Sequence, residues 1–349
     1  MACVAEPDGG SWLSIMPAVG LRPVGDLLKW RTSLKRTLLF PAMAMLALAA
    51  GPAFAQSSDG NSSASAPSGG NRASTAWSPA SMERAALAPR PNVNPDDVRS
   101  AGRERANRPD QPGTTPAADL AGDSAPKERK AGNVTSKPLY WAGKLFYRTP
   151  DGDYVCSAQF ISPQVILTAA HCVRDSDTGV WYQDFIFALQ YNAGDYGAIH
   201  SYDCVATKNG WLQPGFEKYL YDYAMIRVEN PSRTGNFGTH WGWRGAYNDA
   251  AKIGYPGGVA NGEVIQVEQG PIAFVDGVVQ MKHGNQADQG GSSGGAWVGA
   301  FSDREGNDDG NYVISVESFG YEEEPGIDYG PYLDENFKDL WDYVENGCK

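Results

Sequence analysis

From residue 139 onward the chain breaks into short runs in which aromatic and β-branched residues recur. Such runs lie at 140–148 (YWAGKLFYR), 153–161 (DYVCSAQFI), 164–170 (QVILTAA) and 184–190 (DFIFALQ), separated by Gly, Pro and Asp. More follow at 201–207, 222–228, 262–268, 272–275, 278–282, 296–301 and 312–316. Runs of this length between turn formers predict strands. Many short strands at close spacing predict a sandwich or barrels rather than a helical protein. One segment has the other period: Phe337, Leu340, Trp341 and Val344 fall on one helical face. Asp334 is placed to cap that helix and Gly347 to end it, so a helix is predicted over about 334–347.

The pattern fades before this region. Residues 56–135 are rich in Ser, Ala, Pro, Gly, Asn and Arg and nearly free of aromatics. Such a stretch cannot bury enough apolar surface to offset its ordering entropy, so it is predicted to be a disordered pro-segment or linker. The basic run Lys127-Glu128-Arg129-Lys130 near its end favours a removable pro-segment. Residues 1–55 read as a leader with a secretory signal. Arg31, Lys35 and Arg36 form a basic start, 37–50 an apolar run too short to span a bilayer, and Ala53-Phe54-Ala55 a small-x-small cleavage pattern. Export makes disulfides the expected state of cysteine. Cleavage after residue 55 removes Cys3 and leaves Cys156, Cys172, Cys204 and Cys348, whose spacing alone permits three pairings.

Charge narrows the partners. Residues 136–349 hold 14 Lys+Arg against 29 Asp+Glu, a net −15, while the first 135 carry +3. An acidic folded part excludes nucleic acid as the expected partner. The acidic loop 303–310 lacks the Gly and Glu positions of a calcium loop and reads as a hairpin turn. No metal ligand is spaced to His283, which reads as a surface residue.

Three motifs carry chemistry. Thr168-Ala169-Ala170-His171-Cys172 follows the strand-like QVIL. Asp222 opens the run DYAMIRV. Gly291-Ser292-Ser293-Gly294-Gly295 precedes the strand-like AWVGAF. A serine hydroxyl needs a base to become a nucleophile, and that base needs a group to orient it. Glycines around the serine allow a tight turn that aims N–H groups at a developing oxyanion. These motifs, in the order His, Asp, Ser, resemble those of the chymotrypsin/trypsin-like serine peptidases. Ser318-Phe319-Gly320 resembles the family's Ser-aromatic-Gly edge, which pairs with an extended peptide. Lys252-Ile253-Gly254-Tyr255-Pro256-Gly257 resembles a turn of the bacterial glutamyl endopeptidase-like branch.

The resemblance covers nearly all of 139–349 and implies an all-β fold of two six-stranded antiparallel barrels, about 137–235 and 236–333, within a peptidase domain 136–349. It implies a monomeric serine endopeptidase acting on protein or peptide, secreted to the periplasm or medium, free of the membrane after signal cleavage and needing no cofactor or metal. His171, Asp222 and Ser293 would be its catalytic residues, with the Gly291 and Ser293 amides as oxyanion hole. It also implies a Cys156–Cys172 bridge beside the histidine, which pairs Cys204 with Cys348. Two departures stand out. Ser292 replaces the Asp that in many members pairs with a freed N-terminus. In the substrate pocket, Ala287 stands where trypsin-like members carry Asp, Asp288 is its neighbour, and Glu317 stands near the place of a glutamate-reading His. A carboxylate there would repel an acidic side chain, so Glu317 opposes glutamyl preference and Asp288 favours a basic or mixed one. The alternatives are a catalytically silent binding protein of the same fold, a wall or surface protein with 56–135 as a stalk, and, among hydrolases, an esterase.

Overall fold

The computed structural model describes residues 59–66, 76–91, 93–94, 127–285, 290–304, 310–321 and 323–349. The signal expected within 1–55, the pocket positions Ala287 and Asp288, and 305–309 of the acidic loop lie outside the described residues.

The first elements are β1 (Asn61–Ser65), α1 (Pro79–Arg84), β2 (Ala86–Leu87), β3 (Lys127–Ala131), β4 (Ala142–Thr149), β5 (Gly152–Phe160), β6 (Val165–Thr168), β7 (Gln183–Leu189), β8 (Ala198–Lys208) and β9 (Ala224–Val228). β4 pairs with β5 and β7, β5 with β6, β6 with β9, and β8 with both β7 and β9, all antiparallel. That ring of six closes a barrel. Its inward side chains, among them Leu145, Phe160, Ile166, Val205 and Ile226, are buried together. Closure gives each of the six strands a partner on both sides, which leaves few of the unpaired N–H and C=O groups an open sheet would expose.

The later elements are β10 (Gly238–Thr239), β11 (Asp249–Gly254), β12 (Gln266–Val275), β13 (Val278–Lys282), β14 (Ala296–Gly299), β15 (Tyr312–Val316), β16 (Phe319–Gly320), β17 (Ile327–Pro331) and α2 (Glu335–Glu345). Eight of these strands lie in the order β10-β15-β14-β11-β12-β13-β17-β16, with β3 paired to β12 beside them. Trp243, Val279, Met281, Trp297, Ile314 and Tyr332 form a separate core on this sheet. β12 runs past one partner and onto the next. Its first half pairs with β11 and its second, from Ile272, with β13. Pro271, which has no N–H to give, stands where the partners change.

The architecture corrects the expected all-β pair of six-stranded barrels. One six-stranded barrel closes. The second sheet ends in the two-residue strands β10 and β16, which are not paired to each other. With its helices the fold is mixed α/β. α2 seats Phe337, Leu340 and Val344 in the core against β8 and β9, while Trp341 is half-buried. Asp334 accepts from the Asn336 N–H at its start. Among the described residues no helix is long and apolar enough to cross a membrane.

Stretches of the 56–135 segment also pair with the folded part. β1 lies antiparallel to β8, β2 parallel to β5, and β3 antiparallel to β12. Disulfides join Cys156 to Cys172 and Cys204 to Cys348. The first ties β5 to the turn after β6, and the second ties β8 to the chain end beyond α2.

Candidate active site

His171 sits in a 3-10 turn, Ala170–Cys172, that leaves the end of β6. The Cys172 bridge fixes that turn to β5. Asp222 lies at the entry to β9, the strand beside β6 in the barrel, so the two meet across neighbouring strand ends. The His171 Nδ1 is 2.7 Å from the Asp222 Oδ2, and the His171 N–H donates to Oδ1 at 2.9 Å. Ser318 Oγ also donates to the Asp222 carboxylate. Asp222 is completely buried, so these bonds are what make its charge tolerable there. Burial, with the Asp222 charge nearby, pushes the Tyr219 hydroxyl up to about 12. Among the described residues His171 Nε2 and Ser293 Oγ have no hydrogen-bond partner, although both atoms are buried.

Ser293 comes from the other sheet, in the turn before β14. Gly291 and Gly294 hold φ of +82° and +79° there, which a residue with Cβ rarely adopts. The turn is pinned on three sides. The Ser157 N–H donates to the Ser293 carbonyl at 2.8 Å, Ser157 Oγ to the Gly291 carbonyl at 2.8 Å, and the Gly294 N–H to the Glu317 carbonyl at 2.8 Å. Ser157 follows Cys156, so the same bridge braces the turns carrying His171 and Ser293. The Gly291 N–H donates to the Ala88 carbonyl at 3.2 Å. Ser292 is buried behind the turn.

The predicted edge is β16. Phe319 and Gly320 pair with Tyr329 and Asp328 of β17 and, among the described residues, have no strand partner on their far side. The Phe319 ring stacks on Tyr329, centroids 5.2 Å apart. A cleft of about 600 Å³ opens beside His171, between Pro89 and Pro91 on one side and Tyr147, Tyr154 and Tyr182 on the other.

Behind the edge lies a buried charged cluster, of which the sequence placed only Glu317 in the substrate pocket. Lys252 of β11 contacts Asp328 and lies 2.9 Å from Glu268 and 3.8 Å from Glu317. His283 is not at the surface, as expected, but buried, with Nε2 3.1 Å from Asp328. Glu317 accepts from the Trp297 indole at 3.1 Å. Burial opposes ionisation of Asp328, yet the charges of Lys252 and Arg90 and the contact with His283 outweigh it. They hold its carboxyl well below the usual carboxylate range. Glu268, His283 and Asp328 group closely enough to hold a cation, but the Lys252 ammonium already occupies the space between the two carboxylates. Asp328 had no motif, and Lys252 stood only at the start of the Lys252–Gly257 turn, with no charge role read from it. The available signal was an acidic and a basic residue placed inside otherwise apolar strand runs.

The trypsin family model matches residues 130–334. Among solved structures, protease Anisep from Arthrobacter nicotinovorans is 22% identical, with TM-score 0.52 over 64% of this chain and 100% of that one. A Glu endopeptidase solved with MPD is 18% identical, with TM-score 0.51 over 65% of this chain and 100% of that one. These likenesses concern the fold. The family match spans more than half of the sequence, and this chain belongs to the trypsin family.

Proposed function

We propose that the chain is a secreted serine endopeptidase, with residues 136–349 as its catalytic domain and the preceding segment as a removable pro-segment. The observation that carries the reading is the short bond from the His171 Nδ1 to a fully buried Asp222. A carboxylate held there fixes the imidazole in the tautomer that leaves Nε2 free to take a proton, and stabilises the imidazolium that results. Ser293 attacks the peptide carbonyl, His171 takes its proton and returns it to the leaving amine, and an acyl-enzyme on Ser293 is then hydrolysed. The amides of Gly291 and Ser293 receive the oxyanion. The free flank of Phe319–Gly320 supplies main-chain groups to an extended substrate, which would add a strand to the open sheet. Two disulfides fit an oxidising destination.

The Gly254-Tyr255-Pro256-Gly257 turn and Ser292 support kinship with the glutamyl endopeptidase-like branch. Glutamyl preference does not follow, because Asp328 and Glu317 lie behind the edge and would repel an acidic side chain. Digestion of a peptide library tests the whole reading. The chain should cleave internal bonds, and Ser293→Ala should cleave none. Cleavage that survives Ser293→Ala, or its absence from a folded, processed chain, overturns it.

A further inference from the structure

The segment 86–91, Ala-Leu-Ala-Pro-Arg-Pro, lies outside the matched region 130–334 in sequence, yet it lies across the candidate site. Ala86 and Leu87 pair with Tyr154 and Val155 of β5. The Ala88 N–H donates to the Val155 carbonyl at 2.9 Å, and its carbonyl takes the Gly291 N–H, one of the two amides assigned to the oxyanion. Arg90 then turns into the charged cluster. Its guanidinium pairs with Asp328, and its Nε is 3.7 Å from Glu317. The side chain is only 10% exposed. Glycines make the fit possible: a Cβ on Gly291 would come within 2.7 Å of Leu87 Cδ2, and one on Gly320 would collide with the Arg90 guanidinium.

Charge says what the pocket accepts. Among the described residues of the cluster, Glu268, Glu317 and Asp328 face Lys252 and Arg90, with His283 beside them. Of the two basic side chains only Arg90 lies outside the matched region 130–334. Among the described residues, withdrawing it leaves Glu268, Glu317 and Asp328 with Lys252 and His283, and buried carboxylates demand a counter-charge. Both candidate bonds for self-cleavage in this segment, Ala88–Pro89 and Arg90–Pro91, run to proline. The ring on that nitrogen crowds the preceding residue and limits the backbone shapes it can take.

We propose that Ala86–Pro91 is an inhibitor built into the chain: it covers the Gly291 oxyanion donor, and Arg90 fills an Asp328 pocket that takes a basic substrate side chain once the segment leaves. The proposal rests on the peptidase reading for its consequence, but occupancy of the pocket is measurable without turnover.

The test compares the full chain with its Arg90→Ala variant. Calorimetry with the amidinium probe benzamidine reads the pocket, and a fluorophosphonate probe counted on Ser293 by mass spectrometry reads the nucleophile. Arg90→Ala should bind benzamidine at least tenfold more tightly than the parent and take the fluorophosphonate at least tenfold faster. It should also cleave tetrapeptide nitroanilides ending in Arg or Lys at least a hundredfold faster than those ending in Glu or Ala. Equal benzamidine binding by both forms, or binding by neither, overturns the proposal even if Ser293 reacts. Equal labelling rates overturn the inhibitory claim, and a preference for Glu or Ala overturns the pocket assignment. If Arg90→Ala gains benzamidine binding while Ser293 reacts in neither form, occupancy stands and the peptidase reading falls.

Discussion

The closed barrel and the open sheet divide the work of the site between them. The barrel contributes His171 and Asp222 from adjacent strand ends, locked by the Cys156–Cys172 bridge and by total burial of the carboxylate. The open sheet carries Ser293, the edge at Phe319–Gly320, which has no further strand partner among the described residues, and the charged cluster behind it. A closed ring suits groups that must be held at fixed distance. A sheet that stops short suits groups that must receive another chain. The Ser293 turn is shared: it belongs to the open sheet but is pinned by Ser157 of the barrel.

The largest effects should come from breaking the barrel's contribution to chemistry. His171→Ala is expected to lower kcat by about a millionfold with the circular dichroism spectrum unchanged. Asp222→Asn should lower it by about ten-thousandfold, because the imidazole then rests in the wrong tautomer. Steady-state hydrolysis of a peptide ester, with folding checked separately, measures both. Equal losses from the two substitutions would contradict the division of roles between base and orienting group.

His171 and Ser293 could be named as candidates from sequence because the proposed chemistry demands contiguous neighbours. A histidine on a strand-end turn and a serine among glycines keep their neighbours in any fold that uses them. The strands were legible for a similar reason: 278–282 and 312–316 match β13 and β15, since their apolar patterns are local. β11 was missed because Lys252 and Gly254 interrupt its run, and only the distant Asp328 and Glu268 explain a buried lysine there. β1 and β2 have no periodic signal. Their order comes from pairing with β8 and β5, which composition cannot show. The separate runs 262–268 and 272–275 fall on one strand, Gln266–Val275, which changes partners at Pro271. Closure of a sheet is likewise a long-range property, and two barrels were expected where one closes.

The disulfides sharpen the comparison at the next level. The Cys204–Cys348 bridge spans a sequence separation of 144, and Cys156–Cys172 one of 16. In the chain-entropy model their removal as serine pairs should cost about 5 and about 3 kcal/mol respectively. Urea unfolding measures stability, and the same samples report activity. The smaller stability loss should carry the larger loss of activity, because Cys156–Cys172 braces His171 and Ser293 while Cys204–Cys348 braces α2.

Acid should separate the two regions with the smallest effect. Burial lowers the pKa of His200 in the barrel, despite its bond to the Asn230 carbonyl. A folded pKa below the unfolded value of about 6.5 gives stability that is full above that pH and is lost as pH falls through the folded value. Asp328 is also lowered, so its contribution is full above about 4 and is lost at lower pH. Urea midpoints should therefore fall in two stages. His200→Leu should flatten the first, and Asp328→Asn the second. Each tenfold difference in proton affinity between the folded and unfolded chain amounts to about 1.4 kcal/mol.

The central claim is that the barrel's histidine and the open sheet's serine form one reacting pair. Prolonged exposure of the full chain to excess fluorophosphonate, followed by peptide mapping, tests it most directly. The account predicts a single adduct on Ser293 that both Ser293→Ala and His171→Ala abolish. A folded chain without that adduct, or an adduct on Ser293 that persists in His171→Ala at the parent's rate, would contradict it.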